Sequence, residues 1–154
     1  MLIRLYDDTD EAAVVGLWRQ AFPEDPPHNN PALVVRRKGA FQRELFFIAE
    51  HEGNVVGSVM AGYDGHRGRV YTVVVHPGHR RQGIGTALVR YAEAALKALG
   101  CPKISVQVPS GDTEVVALFQ KLGYQVEPRI SLGKGLPRGG GLLNNADGDT
   151  GGEG

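Results

Sequence analysis

The chain has a single cysteine, Cys101, so no internal disulfide can form and nothing in the sequence points to an oxidising compartment. No run approaches the ~18 consecutive apolar residues that suggest a membrane-spanning helix, so no span is expected. The opening Met1-Leu-Ile-Arg-Leu-Tyr-Asp-Asp8 lacks a basic segment followed by an apolar one, and it does not read as a secretory signal. The expected location is the cytoplasm. An excess of either charge is also missing, with 17 Lys plus Arg against 17 Asp plus Glu. That balance leaves room for a local basic patch. It argues against a nucleic-acid binder, whose affinity would come mainly from neutralising phosphates. His66, His76 and His79 lack ligand spacing and carboxylate partners, so no metal is expected.

What remains is ordinary globular composition, 42% hydrophobic and 22% charged over 154 residues, which suits one domain with a sizeable core. Glycine is unevenly spread: nine of the 22 fall between Gly133 and Gly154. Glycine maximises the entropy lost on ordering, so the sequence divides into a folded domain, 1–134, and a flexible Gly-rich tail, 135–154.

Leu2 to Tyr6 alternates as a strand, and Asp8 with Glu11 forms a capping-box signal before a helix. Val14, Leu17, Trp18, Ala21 and Phe22 share one face of that helix, which makes Trp18 a core residue. Pro23 to Pro31 is a loop, and Ala32 to Lys38 reads as a short second helix. Leu45–Glu50, Val55–Tyr63 and Val70–Val75 read as three strands joined by turns at 52–54 and 64–68. The third is β-branched almost throughout, as a buried central strand should be. Gly85 to Leu99 is a helix that Gly100 stops. Ile104–Val108 is a strand, and Asp112 caps a helix with Val115, Leu118, Phe119 and Leu122 on one face. Tyr124–Val126 and Ile130–Leu132 read as a final strand pair. The implied fold class is α/β, a mixed sheet of about seven strands with helices on its faces.

The most informative stretch is Val73-Val-Val-His-Pro-Gly-His-Arg-Arg-Gln-Gly-Ile-Gly-Thr-Ala-Leu88. A buried strand runs through an Arg/Gly loop directly into a helix. Gly83 and Gly85 let the backbone approach a ligand closely. The amides of residues 81–86 can converge on an anion at the positive end of the helix, with Arg80 and Arg81 adding charge. This is a recipe for a pyrophosphate site. No Gly-Lys-Ser/Thr follows, which excludes a P-loop, and Leu88 stands where a dinucleotide fingerprint needs a small third residue.

Arg80-x-x-Gly83-x-Gly85 after a Val-His-Pro strand end resembles motif A of the GNAT superfamily of N-acetyltransferases. Ala117-Leu-Phe-Gln-Lys-Leu-Gly-Tyr124 resembles the family's fourth helix and the strand after it. Gly62-Tyr-Asp-Gly-His-Arg-Gly68, Gly100-Cys-Pro-Lys-Ile104 and Ser131-Leu-Gly-Lys134 together resemble its small bacterial YpeA-type branch. The resemblance covers residues 2 to about 134. It implies a sheet with splayed central strands and acetyl-CoA as co-substrate. Backbone groups of Val73 and Val75 would pair with the pantetheine arm. Arg80, Arg81, Gln82, Gly83, Ile84, Gly85 and Thr86 would hold the pyrophosphate. Asp112 stands where relatives often place an Asn that touches pantetheine, and Phe119 would pack under the thioester. The Val75 amide would donate to the carbonyl oxygen as it gains charge.

Two departures from the family pattern stand out. The position of the usual tyrosine acid is Phe119, which has no proton to give, and the position of the usual glutamate base is Tyr71 or Thr72. Tyr63, Tyr71 and Tyr124, or water, are therefore the candidate acids, with Glu50, Asp64, His66 and His76 as candidate bases, directly or through water. Structural readings stand beside these: His76 as a cap at the strand end, His66 as an exposed turn residue, and Cys101 as a small filler. The implied activity is acetyl transfer from acetyl-CoA to a primary amine (a protein N-terminus, a lysine or a small amine) by a monomer or homodimer. Glu24, Asp25 and Asp64 could attract a cationic acceptor. One alternative is a non-catalytic acyl-CoA-binding sensor or partner module. Another is a nucleotide-binding domain unrelated to CoA.

Overall fold

Phe46, Phe47, Ile48 and Ala49 are all buried, yet they alternate between two separate apolar clusters. A strand sends successive side chains to opposite faces, so an unbroken apolar run means a strand covered on both sides. The computed structural model, which describes residues 1–23 and 30–137, shows that arrangement. Five strands, β1 (Leu2–Leu5), β2 (Phe46–His51), β3 (Asn54–Tyr63), β4 (Gly68–Val75) and β5 (Ile104–Val106), lie in sequential order in one sheet. The first four are antiparallel neighbours, and β5 joins β4 in parallel. Helices α1 (Glu11–Ala21) and α2 (Pro31–Ala40) supply Val14, Leu17, Trp18 and Val35 to one face, against Phe46, Ile48, Met60 and Val74. Helix α3 (Ile84–Ala98) supplies Ile84, Leu88, Val89, Ala92 and Leu96 to the other, against Phe47, Ala49, Val59, Ala61 and Val70. Phe119 of α4 (Thr113–Lys121) joins that second cluster. Trp18 is core, as its position on the helix requires, and its indole donates to the buried Ser58 hydroxyl at 2.9 Å.

The sheet has five strands where about seven were expected, because Tyr124–Val126 and Ile130–Leu132 are not strands. The Tyr124 amide closes the end of α4 on the Phe119 carbonyl at 3.0 Å, and Pro128 has no N–H to give a ladder. β5 itself is only three residues long, so it offers little edge to extend. The segment lies beside β5 through side chains instead: Lys103 with Glu127, and Gln107 with Ser131 at 2.8 Å. Val126, Ile130 and Leu132 are consequently exposed. The helix cap at the N-terminal end also differs from expectation. Asp7 accepts from the Thr9 amide, and Asp10 accepts from the Asp7 amide at 2.8 Å, closing the box one residue early over a 3-10 turn. Asp10 also takes both guanidinium nitrogens of Arg4, at 2.9 and 3.0 Å, which favours the aspartate at that position. The tail from residue 138, and Glu24 and Asp25 of the proline loop, lie outside the described residues.

Candidate acetyl-CoA site

β4 is zipped to β5 along Gly68–Val70 and to β3 along its whole length. Its register on β3 slips between Met60 and Ala61, where Tyr71 is the extra residue, a β-bulge. The bulge inverts which edge each later residue faces. The His76 amide bonds back to the Val56 carbonyl at 2.8 Å, so His76 and Val74 face β3. Val73 and Val75 therefore direct their N–H and C=O groups away from β3, into the gap that β5 leaves open. That is a free strand edge of the kind an extended amide-bearing chain can pair with.

The chain leaves β4 through His76, whose Nδ1 accepts from the Gly78 amide at 2.9 Å, so the strand-end histidine does serve as a cap. Arg81 (φ 64°) and Gly83 (φ 79°) then adopt left-handed backbone and swing the chain into α3. The first intrahelical bond runs from Ala87 to the Gly83 carbonyl, leaving the amides of Ile84, Gly85 and Thr86 without helical partners. A Cβ placed on Gly83 would meet nothing within 4 Å, so the space above that turn is empty of protein. One placed on Gly85 would lie 3.6 Å from Val75 Cγ2 and 4.0 Å from Val73 Cγ1. The anion-ready helix end thus sits directly against the free edge of β4. Arg80 and Arg81 are exposed and make no ion pair among the described residues. A pyrophosphate at the helix end and an amide chain along Val73 and Val75 would be continuous, which is the shape of coenzyme A.

Comparisons with known proteins agree. The acetyltransferase (GNAT) family profile matches residues 12–124. A Yersinia pestis protein described as an acetyltransferase is 40% identical over 136 residues, spanning 88% of this chain and 96% of the relative. The chain belongs to the GNAT acetyltransferase family. It is by class an acetyl-CoA-dependent acetyltransferase. Solved GNAT structures share its fold at low identity. The complex of AAC(6')-Iy with a CoA-linked bisubstrate analogue has a TM-score of 0.70 at 19% identity, covering 88% of this chain and 97% of that one. A Brucella melitensis GNAT protein with acetyl-CoA has a TM-score of 0.66 at 21% identity, covering 81% and 82%.

The GNAT fold does not bring the three candidate tyrosines together. Tyr71, at the bulge, is exposed on the α1–α2 face, where its ring lies over Gly62: a Cβ there would be 2.9 Å from the Tyr71 hydroxyl. Tyr63 packs against the α3-side cluster at the far end of β3. Six strand residues, roughly 20 Å, separate it from Gly57, the partner of Val75. Tyr124 also packs on the α3-side cluster, edge-on to Phe119 with ring centroids 5.1 Å apart, and its hydroxyl donates to Glu93 at 2.8 Å. Burial, reinforced by that carboxylate, pushes the Tyr124 phenol up, so it stays protonated with its proton already committed.

The candidate bases are dispersed as well. Glu50 is held by Arg4 at 3.0 Å on the β1 side of the sheet, two strands from β4. Asp64 accepts the Arg67 and His66 amides, and these bonds hold its carboxyl below the usual range, which makes it a weaker base. His66 is exposed in the same turn. Asp112 caps α4 by accepting from the Val115 amide at 3.2 Å. Cys101 is half-buried, lies against Gly68 at the opposite end of β4 from the helix mouth, and bonds to the Lys103 carbonyl at 3.2 Å. Among the described residues no group of three or more His, Cys, Asp or Glu is placed to hold a metal.

A feature absent from the sequence reading is a cleft of about 160 Å³ lined by Arg69, Val70, Tyr71, Ser105 and Gln107, where β4 and β5 part. Of its lining, only Tyr71 stands out in the sequence, as a candidate acid; Arg69, Ser105 and Gln107 belong to no motif.

Proposed function

We propose that the protein transfers the acetyl group of acetyl-CoA to a primary amine by direct attack, with no acetylated enzyme intermediate. The observation that carries this is the junction of Gly83, Gly85, Val73 and Val75, where an unpaired strand edge meets an open helix mouth. Arg80, Arg81, Gln82, Gly83, Ile84, Gly85 and Thr86 hold the pyrophosphate by amides and charge. Val73 and Val75 hold pantetheine by strand pairing, and the Val75 amide donates to the thioester oxygen. The amine nitrogen attacks the carbonyl carbon, the C–S bond breaks, and the CoA thiolate takes a proton. Tyr71 is the best-placed of the three tyrosines to supply it, through water or directly, because its hydroxyl has no partner among the described residues and borders the cleft. Cys101 lies at the opposite end of β4 from the helix mouth with its S–H given to the Lys103 carbonyl, which supports direct attack. The acceptor is a protein N-terminus, a lysine or a small amine, and the place of work is the cytoplasm. No helix among the described residues is long and apolar enough to cross a membrane.

The test is a panel of these amines with acetyl-CoA and detection of free thiol. Amine-dependent thiol release is the expected result. A second reading, a non-catalytic acyl-CoA sensor, is favoured by the buried, hydroxyl-free Phe119. It predicts acetyl-CoA binding with no thiol release on any amine.

A further inference from the structure

The cleft between β4 and β5 has a distinctive chemistry. Arg69 and Ser105 are register partners across the two strands, so their side chains stand side by side. Tyr71 and Gln107 each follow two residues further along, towards the open gap. Every polar side chain in the lining can donate a hydrogen bond, and no lining residue is acidic. The Arg69 guanidinium is exposed, with no ion pair or hydrogen-bond partner among the described residues. Tyr71 is held over Gly62 because glycine leaves room for its ring. A second cation reaches the same face from α2, where the Lys38 ammonium donates to the Ala61 carbonyl at 2.5 Å beside Gly62. The free edge at Val73 begins two residues beyond Tyr71.

We propose that this cleft is the acceptor subsite and that it selects a small amine carrying a carboxylate, of the amino-acid type, which Arg69 binds with help from Ser105. The proposal deepens the acetyltransferase reading and rests on it. An unpaired guanidinium beside neutral donors is suited to a carboxylate. A cationic polyamine would meet Arg69 and Lys38 with like charge. A cleft of about 160 Å³ has room for a small head group. Asp64, the one described residue of the three acidic side chains that could draw a cationic acceptor, has its carboxylate turned to its own loop amides.

The experiment uses the full chain with saturating acetyl-CoA and matched acceptors: phenylalanine against phenethylamine, and phosphoethanolamine against ethanolamine. Binding of N-acetylphenylalanine and N-acetylphenethylamine to the CoA-loaded protein is measured in parallel. Phenylalanine should be favoured over phenethylamine, and N-acetylphenylalanine over N-acetylphenethylamine, about tenfold or more in kcat/KM and in affinity respectively. In Arg69→Gln that ratio should fall towards one, chiefly through KM, and Arg69→Lys should restore part of it. Arg69 is exposed, so both variants are expected to fold. Equal use of the two phenylalanine-type acceptors, or a ratio unmoved by Arg69→Gln, overturns the proposal. So does a preference confined to the phosphate pair. If acetyl-CoA binds yet neither turnover nor carboxylate binding is seen, the acceptor assignment is also overturned. If acetyl-CoA itself fails to bind, the underlying acetyltransferase reading fails instead.

Discussion

Two glycines on either side of the same interface predict opposite outcomes for one methyl group. Gly57 on β3 lies under α3, and a Cβ there would be 3.0 Å from Leu88 Cδ1, 3.1 Å from Ile84 Cγ2 and 3.1 Å from the Val74 carbonyl. The carbonyl belongs to the sheet and cannot move aside, so the helix must. Overpacking of this kind costs about 1–3 kcal/mol, and the stiffer unfolded chain offsets only about 0.4–1 kcal/mol. Gly57→Ala should therefore lose about 1–2 kcal/mol in urea unfolding, with Tm lower by roughly 2–8 °C for a domain of this size. Ile84 and Leu88 lie in the opening turns of α3, so the displaced helix should also weaken acetyl-CoA binding severalfold. Gly85→Ala is the counterpart. Its methyl would meet Val75 and Val73 at ordinary contact distance, and alanine exceeds glycine in helix propensity by up to about 1 kcal/mol. Its stability should match or exceed wild type. If Gly57→Ala were as stable as wild type and bound acetyl-CoA equally well, the tight α3–β3 contact would not be what positions the helix mouth.

Other perturbations test the scaffold. Ser58→Ala strands the buried Trp18 indole N–H and should cost about 1–3 kcal/mol by chemical denaturation. Asp112→Ala removes the α4 cap and should cost about 0.5–2 kcal/mol in the same assay. The Arg4 guanidinium holds the Asp10 carboxyl below its ordinary range, against an opposing effect of burial. A group depressed on folding contributes stability above its unfolded pKa of about 3.9 and loses it as pH falls through the lower folded value. Unfolding free energy measured from pH 7 downward should thus fall below about pH 4, and Asp10→Asn should be less stable at pH 7 but lose less on acidification.

The parts legible in the sequence were those set by local pattern. The apolar face of α1, the β-branched run of β4, the Asp112 cap and the strand–loop–helix at 73–88 each follow from spacing along one segment. The segment after α4 carries a strand pattern in its alternating apolar residues, yet it is not a strand. Whether a strand forms depends on an edge to pair with, and a three-residue β5 beside Pro128 supplies little. The bulge at Tyr71 was equally invisible, since an extra residue shows only against its partner strand. That bulge turns Val73 and Val75 to the open edge. The cleft lining other than Tyr71 is hidden in the sequence for a related reason: Arg69 and Ser105 are 36 positions apart and become neighbours only when a parallel crossover through α3 sets the β4–β5 register.

The most direct test of the central claim is calorimetric titration of wild type and Gly83→Trp with acetyl-CoA, CoA, ATP and NAD, with circular dichroism confirming that the variant is folded. The Gly83 position opens onto empty space, so the indole would occupy the volume assigned to the pyrophosphate, at a backbone cost of about 1–2 kcal/mol for left-handed geometry. The site geometry predicts that wild type binds acetyl-CoA and CoA in preference to ATP and NAD, and that the folded variant loses both. Unimpaired acetyl-CoA binding by Gly83→Trp, or no binding by wild type, would contradict it.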